Sequence, residues 1–266
     1  MKNRKEYLKD VKRIVVKVGT NVLTKDDGDV NTKWINDFAK QICSLMELGK
    51  EVIVVTSGAI GAGCHLLGLN ERPRDLIGKQ AIAAVGQTRL MRAYKDAFNR
   101  AGAPVGQILL TYDDLDSRLR SKNATNTINA LLKMKVVPII NENDTVAVEE
   151  IKFGENDYLS ALVSEFMNAD LLFLLTDVDG VFDNPPDSEL EAQVISSVCK
   201  KNWANLELGI SEEPGEKGSG GMITKVQAAR SAVNHGGIAV ITNGKTDNIL
   251  ERVISGEEIG TLFTEE

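Results

Sequence analysis

The chain has 266 residues, 42% of them hydrophobic and 26% charged, and carries a formal net charge of −7. That supplies core for one large α/β domain or two small ones. The acidic balance argues against nucleic acid or an anionic membrane surface as the main partner.

Three scattered cysteines, Cys43, Cys64 and Cys199, contain no CxxC and suggest neither a disulfide framework nor a zinc site. The charged first ten residues lack the apolar core of a signal peptide. No apolar run reaches the length of a membrane span. A cytoplasmic protein of one domain over residues 1–266 is expected.

Arg13 to Val18 reads as the first strand, with Lys17 inside its apolar run and Gly19-Thr20-Asn21 turning out of it. A lysine there either snorkels to an edge or points into a site. Asn31 or Thr32 caps a helix whose apolar positions, Ile35, Phe38, Ile42, Leu45 and Met46, recur at helical spacing, and Gly49 ends it. Val52 to Val55 is a strand buried on both faces, running into Thr56-Ser57-Gly58-Ala59-Ile60-Gly61 and then a helix. Such a turn offers unpaired N–H groups and a positive helix end, which suit an anion; the plain reading is a tight turn. Further helices are expected over 78–100, over 117–134 with Asn- and Thr-rich turns in its middle, from Asp157 to Met167, from Gly220-Gly221 through Asn234, and over 247–254. Further strands are expected over 105–110, 136–140, 171–175, 238–241 and 261–263. Residues 145–156 read as a hairpin or loop, and 183–193 and 211–219 as hydrophilic segments. Alternating buried strands and helices make a three-layer αβα sandwich with a mostly parallel central sheet, in which ligands sit outside the carboxyl ends of the strands.

Five of those ends carry polar candidates: Lys17-Val-Gly-Thr-Asn, Thr56-Ser-Gly-Ala-Ile-Gly, Asn141-Glu-Asn-Asp, Thr176-Asp-Val-Asp-Gly and Ile241-Thr-Asn-Gly. Known phosphate and metal motifs fail. There is no Walker A loop, Leu66 breaks the glycine fingerprint begun at Gly61, and Ser188 stands where a calcium loop beginning at Asp177 needs glutamate. What remains is two lysines beside glycines, Lys17 before Gly19 and Lys225 after Ser219-Gly-Gly-Met-Ile-Thr. Two fixed ammonium groups, glycine-rich backbone and an orienting carboxylate suit phosphoryl transfer, where catalysis is mainly positioning and charge stabilisation. Taken singly, Lys225 also reads as an exposed helix lysine and Asp157 as a helix N-terminal charge.

Taken together, Lys17-Val-Gly-Thr-Asn, Val55-Thr-Ser-Gly-Ala-Ile, Pro138-Ile-Ile-Asn-Glu-Asn-Asp, Phe153-Gly-Glu-Asn-Asp-Tyr-Leu-Ser, Leu175-Thr-Asp-Val-Asp-Gly and Gly218-Ser-Gly-Gly-Met-Ile-Thr-Lys resemble the amino acid kinase family, in its glutamate-phosphorylating branch. The resemblance implies transfer of the ATP γ-phosphoryl group to the side-chain carboxylate of L-glutamate, the first step of proline synthesis. It implies Lys17 and Lys225 on the phosphates and Asp157 orienting both. Gly19 and Gly58 would be backbone donors. Ser57, Asp144 and Asn156 would hold glutamate. Thr176, Asp177 and the run Ser219, Gly220, Gly221, Met222, Ile223, Thr224 and Lys225 would surround the nucleotide, with Mg2+ bridging phosphates and no protein metal site. It also implies a homo-oligomer, feedback inhibition by proline, and hand-over to a glutamyl phosphate reductase. Many members carry a C-terminal PUA domain, and this chain ends after the kinase segments. Tyr158 and Tyr112 depart from the residues expected there. Two other readings stay open: a kinase for a related amino acid, and a non-catalytic nucleotide-binding partner of the next enzyme.

Overall fold

Short β-branched runs become strands and amphipathic runs become helices. The computed structural model describes residues 3–147, 155–184, 192–203 and 221–266. By its contacts the chain divides into a unit of residues 18–152 and a unit of residues 1–17 with 153–266. The second of these begins at the N-terminus with α1 (Arg4–Leu8), opened by a reciprocal capping box between Asn3 and Glu6 that periodicity alone did not reveal. β1 (Arg13–Val18) follows.

The unit of residues 18–152 contains α2 (Thr20–Leu23), α3 (Thr32–Glu47), β2 (Glu51–Val55), α4 (Ala59–Leu66), α5 (Leu76–Ala101), β3 (Val105–Leu110), α6 (Tyr112–Asp116), α7 (Arg118–Lys133) and β4 (Val137–Glu142). Asn31 caps α3 by accepting from the Trp34 N–H, and Ile35, Phe38, Ile42 and Leu45 fill the core face. Each such side chain contributes about 1.5–3 kcal/mol over its exposed state. α5 begins two residues before the expected Gly78, because the Asp75 carboxylate accepts from the Gly78 N–H. α7 runs unbroken through its Asn- and Thr-rich middle. There the Thr125 hydroxyl donates to the Ser121 carbonyl, so the polar side chain is satisfied within the helix. The strands lie in the order β3-β4-β2, with both pairs parallel. Part of the expected 145–156 loop, residues 148–154, lies outside the described residues, as do most of the 183–193 segment and the whole of 211–219.

The other unit continues with α8 (Glu155–Phe166), β5 (Leu171–Thr176), β6 (Ser197–Cys199), α9 (Met222–Asn234), β7 (Ile238–Asn243), α10 (Ile249–Ile254) and β8 (Thr261–Thr264). Its strand order is β1-β5-β7-β8-β6. β5 and β7 are parallel, β7 and β8 antiparallel, β6 and β8 parallel. β6 has three residues, too few to show a period. The Arg4 guanidinium is buried, and it donates to the carbonyls of Glu257 and Gly260, tying α1 to the turn before β8.

Candidate active site

In the unit of residues 1–17 and 153–266, three charged side chains from three elements meet. Lys17 leaves the penultimate position of β1, Asp157 sits in the first turn of α8, and Lys225 in the first turn of α9. All three are buried: Lys17 is 5% exposed, Asp157 1% and Lys225 7%. The expectation that Lys225 could be a surface lysine is therefore overturned, since α9 turns that position inward. One carboxylate oxygen, Oδ1 of Asp157, lies 2.5 Å from the Lys17 Nζ. The other, Oδ2, accepts from the Lys225 Nζ at 3.2 Å and from the Thr224 hydroxyl at 2.7 Å. Lys225 also lies 3.4 Å from the Gly221 carbonyl.

Burial alone would push the Asp157 carboxyl up. The charges of Lys17 and Lys225, with hydrogen bonds from Lys17 and Thr224, overcome that and hold it below its ordinary range. Burial pulls Lys17 down from its ordinary value; Asp157 opposes the shift and Lys225 adds to it. Two ammonium groups converge on one carboxylate, a donor set suited to an anion. Gly221 precedes α9 with no side-chain cap on the helix, leaving the first N–H groups to another acceptor.

At the ends of β5 and β7 the Thr176 hydroxyl donates to Asp177 Oδ1 at 3.1 Å, and Asn243 Nδ2 donates to Asp179 Oδ1 at 2.9 Å. Asp177 is exposed and Thr176 buried. Met222, Ile223 and Thr224 lie on the first turn of α9. Asn156 immediately precedes Asp157 in α8, which starts two residues earlier than expected. Ser219 and Gly220 lie outside the described residues. Among the described residues no group of three or more His, Cys, Asp or Glu is placed to hold a metal.

The unit of residues 18–152 brings together a different set. Gly19 caps α2 with its carbonyl accepting from Val22 and Leu23. Ser57 is buried beyond the end of β2, and Gly58 caps α4 at φ +92°, where a side chain would be strained and would meet Leu23. The helix has no side-chain cap there either. A close approach fixes it: a Cβ on Gly86 of α5 would lie 1.8 Å from the Ala59 carbonyl oxygen. Asp144 stands in a turn after β4, where the Val146 and Ala147 N–H groups donate to the Asn143 carbonyl. Two residues here, Gln87 and Tyr94, were missed by sequence reasoning as site supports. Tyr94 of α5 is hydrogen-bonded to Thr56 at 2.9 Å, and Asn141 Nδ2 donates to Gln87 Oε1 at 2.8 Å. Asn141 and Thr56 stood in segments already singled out; Gln87 and Tyr94, inside a long helix, gave no signal.

The amino acid kinase family profile matches residues 12–242. The glutamate 5-kinase of Citrifermentans bemidjiense is 48% identical over 260 residues, covering 98% of this chain and 69% of the relative. That of Caldanaerobacter subterraneus is 49% identical over 252 residues, covering 94% and 67%. That of Clostridium tetani is 47% identical over 263 residues, covering 98% and 97%. Among solved structures, UMP kinase from Bacillus anthracis superposes with a TM-score of 0.63 at 18% identity, over 96% of this chain and 97% of its own. T. acidophilum isopentenyl phosphate kinase gives 0.66 at 17%, over 95% and 100%. The likeness to these two shows a shared fold, the αβα sandwich with a mostly parallel sheet. By its profile and its relatives, the chain belongs to the amino acid kinase family, in its glutamate 5-kinase branch.

Proposed function

We propose that this chain transfers the γ-phosphoryl group of ATP to the γ-carboxylate of L-glutamate, giving L-glutamyl 5-phosphate, the first step of proline biosynthesis. The observation that carries the reading is the buried cluster in which Lys17 and Lys225 converge on Asp157. Ammonium groups held in this way are donors for phosphate oxygens. Lys17 and Lys225 hold the moving group and the β-phosphate while Asp157 and Thr224 fix the ammonium groups in place. As the glutamate oxygen bonds to the γ-phosphorus, the bond to the β-bridging oxygen breaks and ADP leaves with the electron pair. The equatorial oxygens gather charge meanwhile, and the two lysines stabilise it. No protein base is needed, because a carboxylate is already ionised at neutral pH. Both Asp157 oxygens are engaged by cations and a hydroxyl, so the donor set suits phosphate rather than a metal. A Mg2+ ion would come with the nucleotide, carried by its phosphates.

Thr176, Asp177 and residues 219–225 form the nucleotide side of this reading. Gly19 and Gly58 offer backbone N–H groups to phosphate, and Ser57, Asp144 and Asn156 hold glutamate, with Asp144 matched to its α-ammonium. The same reading carries a cytoplasmic, homo-oligomeric kinase domain, inhibition by proline at the acceptor site, and rapid consumption of the labile acyl phosphate by glutamyl phosphate reductase. Among the described residues no helix is long and apolar enough to cross a membrane. The test is hydroxamate formation with ATP, Mg2+ and hydroxylamine, comparing L-glutamate, N-acetylglutamate and L-aspartate. Glutamate should be turned over far faster than the others. Equal rates would assign another acid, and no hydroxamate with any acid would favour a non-catalytic nucleotide-binding partner.

A further inference from the structure

Two side chains of α5, Gln87 and Tyr94, are seven residues apart and so lie on one helix face. They reach the ends of two neighbouring strands. β2 and β4 are paired through Val55 and Ile140, and the Thr56 N–H donates to the Ile140 carbonyl. Thr56, the first residue past β2, therefore lies beside Asn141, the penultimate residue of β4. Tyr94 holds Thr56, and Gln87 holds Asn141.

The second pair is incomplete. Asn141 is 2% exposed, and its Oδ1 is buried with no hydrogen-bond partner among the described residues; so is Gln87 Nε2. Turning both amides over changes the atoms but not the outcome, because one donor and one acceptor remain unmatched. Buried polar groups are nearly always satisfied, so a pair left open in this way calls for a third participant. Asn141 is three residues before Asp144 and its strand neighbour Thr56 is next to Ser57, both assigned above to glutamate. An α-amino acid brings an ammonium donor and a carboxylate acceptor, the two functions the pair lacks.

We infer that Gln87 is a positioning residue for the acceptor amino acid, fixing the Asn141 amide so that substrate completes the open donor–acceptor pair. The inference rests on the glutamate reading. Gln87→Met keeps the side-chain volume and removes the amide. Its KM for glutamate should rise about tenfold, with KM for ATP and the melting temperature near those of the parent. Coupling tests the route: the double variant Gln87→Met with Asn141→Ala should bind glutamate no worse than Asn141→Ala alone. A KM for glutamate within about twofold of the parent, equal rises in both KM values, or additive losses in the double variant would each overturn it. If Gln87→Met does not fold, Gln87→Leu, which likewise removes the acceptor for Asn141 Nδ2, enters the same cycle with the same criteria. A parent protein inert toward glutamate ends the functional reading itself; an active parent with an indifferent Gln87 ends only this inference.

Discussion

The two units solve different electrostatic problems. The unit of residues 1–17 and 153–266 gathers formal charges, with two buried lysines each within hydrogen-bond distance of one buried aspartate. The unit of residues 18–152 gathers neutral groups: a left-handed glycine before α4, a buried serine, and amide and hydroxyl pairs braced by α5. Buried charge stabilises a transition state whose own charge is large and delocalised. Neutral donors and acceptors in fixed geometry sort one small acid from another. In the proposed reading, Lys17 and Lys225 of the first unit stabilise the phosphoryl group, and the second supplies Ser57 and Asp144 to the acceptor and Gly19 and Gly58 as backbone donors.

The largest effects should come from the charged unit. Lys17→Ala and Lys225→Ala should each lower hydroxamate formation by about a thousandfold or more while remaining folded by circular dichroism. Near-parent turnover in both would erase the division. Asp157→Asn leaves two buried ammonium groups without their counter-charge, and should cost about 3–5 kcal/mol in urea unfolding. A smaller loss of about 1–3 kcal/mol is expected from Gly86→Ala in the neutral unit, because its Cβ would be driven into the Ala59 carbonyl and push α4 from α5. That variant should raise KM for glutamate more than KM for ATP.

The smallest effects are those of pH. The folded Asp157 carboxyl lies below its ordinary 3.8, so the stability it contributes is complete above that value and is lost as pH falls through the lowered one. Asp157→Asn should flatten that part of the urea-midpoint profile. On the alkaline side, kcat/KM for ATP, which reports the free enzyme, should fall with an apparent pKa below the ordinary 10.5 of lysine, because burial lowers Lys17. An alkaline limb at or above 10.5 would remove Lys17 from the proposed role.

Sequence reading was strongest where a pattern is local. The strand of Val52 to Val55, the Asn31 cap and the lysine inside β1 all follow from neighbours along the chain. Burial at single polar positions is a tertiary fact. Lys225 resembles any helix lysine until α9 is packed, and Asp157 resembles a first-turn charge until both its oxygens are filled. Gln87 shows the limit most clearly. A glutamine in the middle of a 26-residue helix carries no signal, and its partner is 54 positions away. Short elements were lost for the same reason: α2 has four residues and β6 three, less than a readable period.

The central claim is that a glutamate oxygen attacks the γ-phosphorus beneath Lys17 and Lys225. It can be read from an isotope. With both γ-carboxylate oxygens of glutamate labelled with 18O, hydroxylamine attacks the acyl carbon of the product and releases phosphate carrying one labelled oxygen. One 18O per phosphate at the parent's turnover rate, and no labelled phosphate from Lys225→Ala, is the predicted result. Unlabelled phosphate from the parent would mean that water, not glutamate, receives the phosphoryl group, and would contradict the account.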